Sequence, residues 1–355
     1  MISYVEVRSA DGDIVKTVHA KRFIICTGGL EAPRLLLASR GTLSQGLGND
    51  YDLVGRFFMD HPRLRSTAIA LPEARSAPIL RHVALGRVAS KAGLVLSERL
   101  QRERRLANYN VFLTNVGVDL EQRAARALSL RDAKAQDAAG REQTRKSARM
   151  RTMQTLRRAW RTMPVRMRVG MESALSQSPF RNLAIVLKME QAPNRDSRIT
   201  LSDRADRLGV PRLVLDWRLG DEDMRMLQDF ETVLNDAFSG SGLARQKIEF
   251  RNPDGGFTFQ DSSHPMGGAR MAEGPRSGVV DRNLRVFGVD NLYVASSAVF
   301  PTAGNANPTL TIIALSCRLA KHLNAEAQRP DAATSEDNRD QTTPMPGGTL
   351  EQTPA

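Results

Sequence analysis

The sequence predicts an α/β fold, α+β over the whole chain: part of a dinucleotide-binding, Rossmann-like layer joined to an antiparallel sheet with a helical insert. Three observations predict it. The run RFIICT (22–27) is continuously apolar, ends in Gly28-Gly29 and leads into a helical pattern, as a strand buried on both faces and feeding a helix would. The stretch RITLSDRADRLGVPRLVLDW (198–217) has the alternation of a β-meander. A third apolar strand, in NLYVASS (291–297), precedes a loop and another helical stripe that opens at Asn307-Pro308-Thr309.

Taken in order, residues 3–8 and 14–18 alternate on either side of an Asp11-Gly12 turn, which predicts a hairpin. LEAPRLLLAS (30–39) reads as a helix with Pro33 in its first turn, where the missing N–H costs nothing. Residues 98–178 are rich in Arg, Ala, Leu, Gln and Met with little Gly or Pro, which predicts a basic helical insert. DEDMRMLQDFETVLNDAF (221–238) is amphipathic and helical. From about Arg329 large apolar residues almost vanish, which predicts a disordered tail. The 355 residues suit two units. Residues 1–55 and 265–325 are expected to form the partial dinucleotide-binding layer, 56–264 the antiparallel domain, and 326–355 the tail.

The formal charge of +12 is local: residues 101–170 hold 17 basic and six acidic side chains, nearly the whole excess. Arg157, Arg158, Arg161, Arg166 and Arg168 interleave with Leu156, Trp160, Met163 and Val165, an amphipathic pattern. It suits a solvated helical lid, or a surface for anionic lipid or an acidic partner; nucleic acid is disfavoured because no array of stacking aromatics accompanies the charge. The two cysteines, Cys26 and Cys317, sit in apolar runs far apart and are expected to be buried thiols; no metal-ligand spacing is present. No apolar run is long enough to span a bilayer and no signal peptide opens the chain, so the cytoplasm is the default expectation, with any export signal preceding Met1.

The last ordered third holds the chemistry. It combines His264 in HPMGGARM (264–271) with Asn307, which has the makings of an N-cap, and with Pro308 at a first helical position. Oxidising a carbinol needs a base for the O–H proton while hydride leaves the carbon, and neutral imidazole suits that task near pH 7. Asn can donate to the alkoxide without titrating, and a helix N-terminus favours negative charge on a reduced acceptor. Spacing alone leaves the plainer readings open, a structural His and a simple cap.

HPMGGARM, the strand and loop to Pro301-Thr302, and Asn307 with its helix resemble the C-terminal hallmark of the glucose–methanol–choline (GMC) oxidoreductases. So do AKRFIICTGGLEAPRLLLAS (20–39), LVGRFFMDHP (53–62) and EQAPNRDSRITLS (190–202), in the family's order. The resemblance implies FAD as cofactor, His264 as catalytic base and Asn307 as the second active-site residue. It implies flavin contacts at Gly28, Gly29, Ser296, Ser297, Pro308 and Thr309, although Ser296 stands where many members have Asp. His61, in the MDHP motif, takes a structural or a chemical role. The implied substrate is a small alcohol, sugar or polyol. The family's GxGxxG turn is expected ahead of Met1, or on a separate subunit; the alternative is a truncated or non-catalytic remnant that binds no flavin alone.

Overall fold

The computed structural model of the chain describes residues 1–9, 15–41, 43–75, 82–85, 88–115, 167, 180–242, 244, 246–252 and 254–328. Its elements, in chain order, are β1 (Val5–Arg8), β2 (Val15–Val18), β3 (Phe23–Ile25), α1 (Gly28–Ala38), β4 (Arg63–Arg65), β5 (Ile69–Arg75), β6 (His82–Leu85), β7 (Val88–Lys91), β8 (Leu94–Val95), α2 (Glu98–Arg104), β9 (Asn110–Asn115), β10 (Phe180–Lys188), β11 (Arg198–Ala205), β12 (Pro211–Asp216), α3 (Asp221–Gly240), β13 (Leu292–Val294) and α4 (Thr309–Ala327). The mixture of helix and antiparallel sheet is the expected α+β class.

Two apolar cores organise these elements. In the first, β3 pairs in parallel with β13, Phe23 opposite Leu292 and Ile25 opposite Val294. Around this pair Ala32, Leu36, Val54, Met266, Val299 and Leu319 are buried together. Strands from the two ends of the sequence thus share one layer. In the second core, β4, β10, β9 and β8 lie side by side, with β5 also paired to β10. One face of α3 covers this sheet through Met226, Leu227, Phe230, Leu234 and Phe238. The rings of Tyr109 and Phe230 meet edge to face at 5.1 Å. At the start of α3 the Asp223 carboxylate accepts from the N–H groups of Gly220 and Ala192, which caps the helix and ties it to the chain after β10.

Four expectations need correction. The insert is not helical from residue 98 to 178: residues 110–115 form β9, in register with β10 from Asn110 opposite Lys188 to Asn115 opposite Leu183. Burial of Val111 and Leu113 in the sheet outweighs local helix propensity. The basic stretch beyond it, including Arg157 to Arg168, and the tail from 329 lie outside the described residues. Pro33 falls in the second turn of α1, because the helix starts at Gly28. There its ring packs against the α carbon of Gly268, where a Cβ would come within 2.7 Å of it. β3 is covered on one face only: Ile25 is buried, whereas Ile24 is 45 % exposed. Cys26 shares the open face and Cys317 the outer face of α4, so both thiols are exposed.

Candidate active site

The two histidines meet because the segments that carry them pair. Met59 bridges Met266 and Arg63 bridges Gln260, both antiparallel, so residue 61 is held opposite the 262–264 turn. Gly267 permits this approach. It has φ +76°, and a Cβ there would lie 2.0 Å from the Phe57 carbonyl oxygen. Within the pairing, His61 Nδ1 and His264 Nδ1 are 3.1 Å apart with the rings nearly perpendicular. His61 is fully buried and His264 partly so.

Asp60 organises both sides. Its carboxylate accepts from the backbone N–H of His61 (2.6 Å), Ser262 (3.2 Å) and His264 (3.2 Å). Burial raises its pKa, and those three donors oppose the rise. Gln191, also buried, accepts from Asp60 N–H and from Trp217 Nε1–H, and donates to the Arg218 carbonyl. Asp60, His61 and His264 place ligand-type atoms within 4.8 Å of one another. The carboxylate is already engaged by N–H groups and the Lys188 cation stands close by, so the donor set is a poor match for a metal ion.

Burial drives the His61 pKa down to about 4, with help from the charges of Lys188 and His264. The Ala303 and Gly304 backbone opposes this shift, although His61 Nε2 makes no hydrogen bond of good geometry. The His264 pKa is lowered too, first by burial and then by Lys188, with Asp60 opposing. Both rings are therefore neutral near pH 7, and one shared proton lies between the two Nδ1 atoms.

Asn307 does not cap α4. The helix starts at Thr309 with Pro308 as its boundary residue, and no side chain caps it. The Asn307 amide oxygen instead accepts from Lys188 Nζ at 2.6 Å. A charged donor on the last residue of β10 outcompetes the neutral N–H groups of the helix end. Lys188 escapes a sequence reading, since a Lys ending an apolar strand looks like ordinary solvated charge. Asp60 and Gln191 carried a weak signal, polar residues inside otherwise apolar runs. Glu190, beside them, accepts from Gly304 N–H and Asn108 N–H, holding the 303–305 loop against the sheet.

The implied flavin residues lie on the first core. Gly28, with φ +85° and open space beside its α carbon, is exposed at the end of β3. Gly29 is buried, and a Cβ there would stand 2.2 Å from the Pro265 carbonyl oxygen, so it keeps α1 against the His264 loop. The Ser296 hydroxyl accepts from Ala298 N–H within its own loop, and the Ser297 hydroxyl donates to the Pro265 carbonyl in the His264 loop. Pro308 is buried and Thr309 exposed. An uncapped helix end and an open glycine turn are features that a flavin's anionic pyrimidine edge would fit.

Residues 193–316 match the family model described as GMC oxidoreductase. The chain is 26 % identical to the fructose dehydrogenase large subunit of Gluconobacter japonicus over 307 residues, 85 % of this chain and 47 % of that protein. It is 36 % identical to paromamine 6'-oxidase of Streptomyces fradiae over 133 residues, 36 % of this chain and 23 % of that protein. Pyridoxine 4-oxidase from Mesorbium loti shares the fold, with a TM-score of 0.50 at 14 % identity, covering 91 % of this chain and 55 % of that structure. The chain spans about half the length of the two proteins that it matches over most of its own length.

Proposed function

We propose that this chain carries the substrate side of the active site of an FAD-dependent oxidoreductase that acts on the CH–OH group of an alcohol, sugar or polyol. The observation that carries the reading is the Nδ1–Nδ1 contact between His61 and His264. In this reading the remaining His61 proton sits on Nε2, the nitrogen turned towards the Ala303 and Gly304 backbone, although no hydrogen bond of good geometry forms there. His61 Nδ1 is then the acceptor, His264 Nδ1–H the donor, and the lone pair of His264 Nε2 is free to take a proton. FAD, when bound, would supply the hydride acceptor. His264 removes the hydroxyl proton, Asn307 stands at the oxygen that gains charge, and the N-terminus of α4, with Gly28 and Thr309, would hold the flavin. The relatives named for sugar or amino-sugar chemistry, fructose dehydrogenase and paromamine 6'-oxidase, support the substrate class.

Anaerobic stopped-flow reduction of the flavin tests this. His264→Ala should slow reduction by roughly 10²–10⁴-fold, the usual worth of a general base, while flavin stays bound. Near-normal reduction would mean that the base lies elsewhere. A second reading, a subunit that acts only with a companion, is favoured by the open face of β3 and by the outer face of α4, where Leu310 is 78 % exposed. Reconstitution of flavin binding by a separately made dinucleotide-binding polypeptide would support it.

A further inference from the structure

Lys188 is the last residue of β10, half-buried, with its ammonium 2.6 Å from Asn307 Oδ1. It stands near enough to both histidines to disfavour their protonated forms, and near enough to Asp60 to be stabilised by it. An ammonium group has only protons to offer, so the Asn307 atom facing it must be the amide oxygen. Turning the amide over would set its N–H donors against a cation. Of the two amide orientations that ordinarily have to be assigned from context, the cation therefore selects one. The Nδ2 group then points away from Lys188 and makes no hydrogen bond among the described residues, and Asn307 is exposed.

We propose that Lys188 is a positioning residue for Asn307: it holds the amide oxygen so that the Nδ2–H donors face the substrate oxygen whose proton His264 takes. The proposal rests on the reading of His264 and Asn307 given above. It explains why an exposed Asn, which would otherwise sample both amide orientations, offers donors where negative charge develops. It also explains why a cation is kept beside two neutral imidazoles. That cation cannot donate to the substrate through the same proton, because the proton is engaged by the amide oxygen. The charged and titratable groups converging here are Lys188 from β10, Asp60 and His61 from the loop before β4, and His264 from the loop opposite.

Two measurements on the flavin-loaded protein separate this inference from the reading beneath it. The first needs no turnover: the side-chain amide resonances of Asn307 are compared by NMR in the wild type and in Lys188→Met, which keeps the apolar stem and removes the charge. They should shift and broaden in Lys188→Met and be largely kept in Lys188→Arg; unchanged resonances in Lys188→Met would overturn the proposal whatever the kinetics show. The second is flavin reduction. Lys188→Met should slow it at least about tenfold, short of the roughly 10²–10³-fold seen when an oxyanion donor is deleted outright. Lys188→Arg should recover most of that loss. Asn307→Asp should be slower than Lys188→Met, in the range of outright donor deletion, because a carboxylate keeps the contact with Lys188 but has no donor to offer and repels the developing charge. Reduction within twofold of wild type in Lys188→Met, beside an inactive His264→Ala, would overturn the positioning role and leave the base in place. Wild-type reduction by His264→Ala would sink the reading of the site, and the amide resonances would then decide the Lys188–Asn307 contact alone.

Discussion

At the scale of single residues, His61 and His264 illustrate how burial selects a protonation state. The folded pKa of His61, about 4, lies below its usual 6.5. The unfolded chain therefore binds more protons than the folded one between those values, so stability is full above pH 6.5 and falls as pH drops towards 4. Asp60 acts with the opposite sign, since its raised pKa makes the folded state the better proton acceptor in acid. Thermal unfolding followed from pH 7.5 to 4.5 should show the decline, and His61→Leu should flatten it. Catalysis is expected to share the pattern. With the pKa of His264 held below 6.5, the acid limb of flavin reduction should lie below pH 6.5. Removing the Lys188 charge should move that limb upward, which a pH profile of Lys188→Met would reveal.

Elements meet through a few side chains whose value is invisible in their own segment. Arg34, on α1, donates Nε–H to the Pro211 carbonyl at 2.7 Å and pairs through Nη2 with Asp206 at 2.7 Å. It fastens the helix to the β11–β12 hairpin with only 14 % of its side chain exposed. Arg34→Met should cost about 1.5–3 kcal/mol, the range for hydrogen bonds to charged groups, and Arg34→Lys nearly as much because an ammonium cannot reproduce the fork. Chemical denaturation would measure both. Gly267→Ala should be worse. A left-handed φ costs on the order of 1–3 kcal/mol by itself, and the added carbon would also collide with the Phe57 carbonyl. Since that glycine seats the His264 turn against the His61 segment, the same variant should lose flavin reduction; full activity with unchanged stability would contradict the account.

Across the whole molecule, the first core is open on one side. Ile24 and Cys26 on β3, and Leu310, Ile313 and Cys317 along α4, form exposed apolar surface beside Gly28 and the uncapped helix end. On the inner face of the same helix, Ile312, Leu315, Leu319 and Leu323 meet the core, so α4 carries two apolar stripes, of which the described residues cover one. No helix among the described residues is long and apolar enough to cross a membrane. A dinucleotide is held largely through its phosphates at a glycine turn and a helix N-terminus, and no strand–GxGxxG–helix pattern occurs in these 355 residues. Made alone, the chain should therefore bind FAD no more tightly than micromolar. A fluorescence titration would check this, and sub-micromolar affinity would refute it.

Much of the fold was legible because it is written in local periodicity. The β11–β12 alternation, the amphipathic stripe of α3, and the apolar strands β3 and β13 each announce themselves within a dozen residues. His264 and Asn307 were legible through the company they keep, a motif whose glycines admit a close turn. Tertiary structure decided what depends on neighbours distant in sequence. Strand β9 formed inside a helix-like stretch because β10 offered a register and a buried face. Asn307 turned from the end of α4 to Lys188, 119 residues away, because a charged donor outcompetes a neutral cap. His61 became the partner of His264 across 203 residues because Gly267 lets the two backbones approach. The sequence by itself determined which segments bury apolar surface and which titratable residue types are present. Which atoms face one another was decided only by packing, since hydrogen-bond direction depends on partners that a linear pattern does not specify.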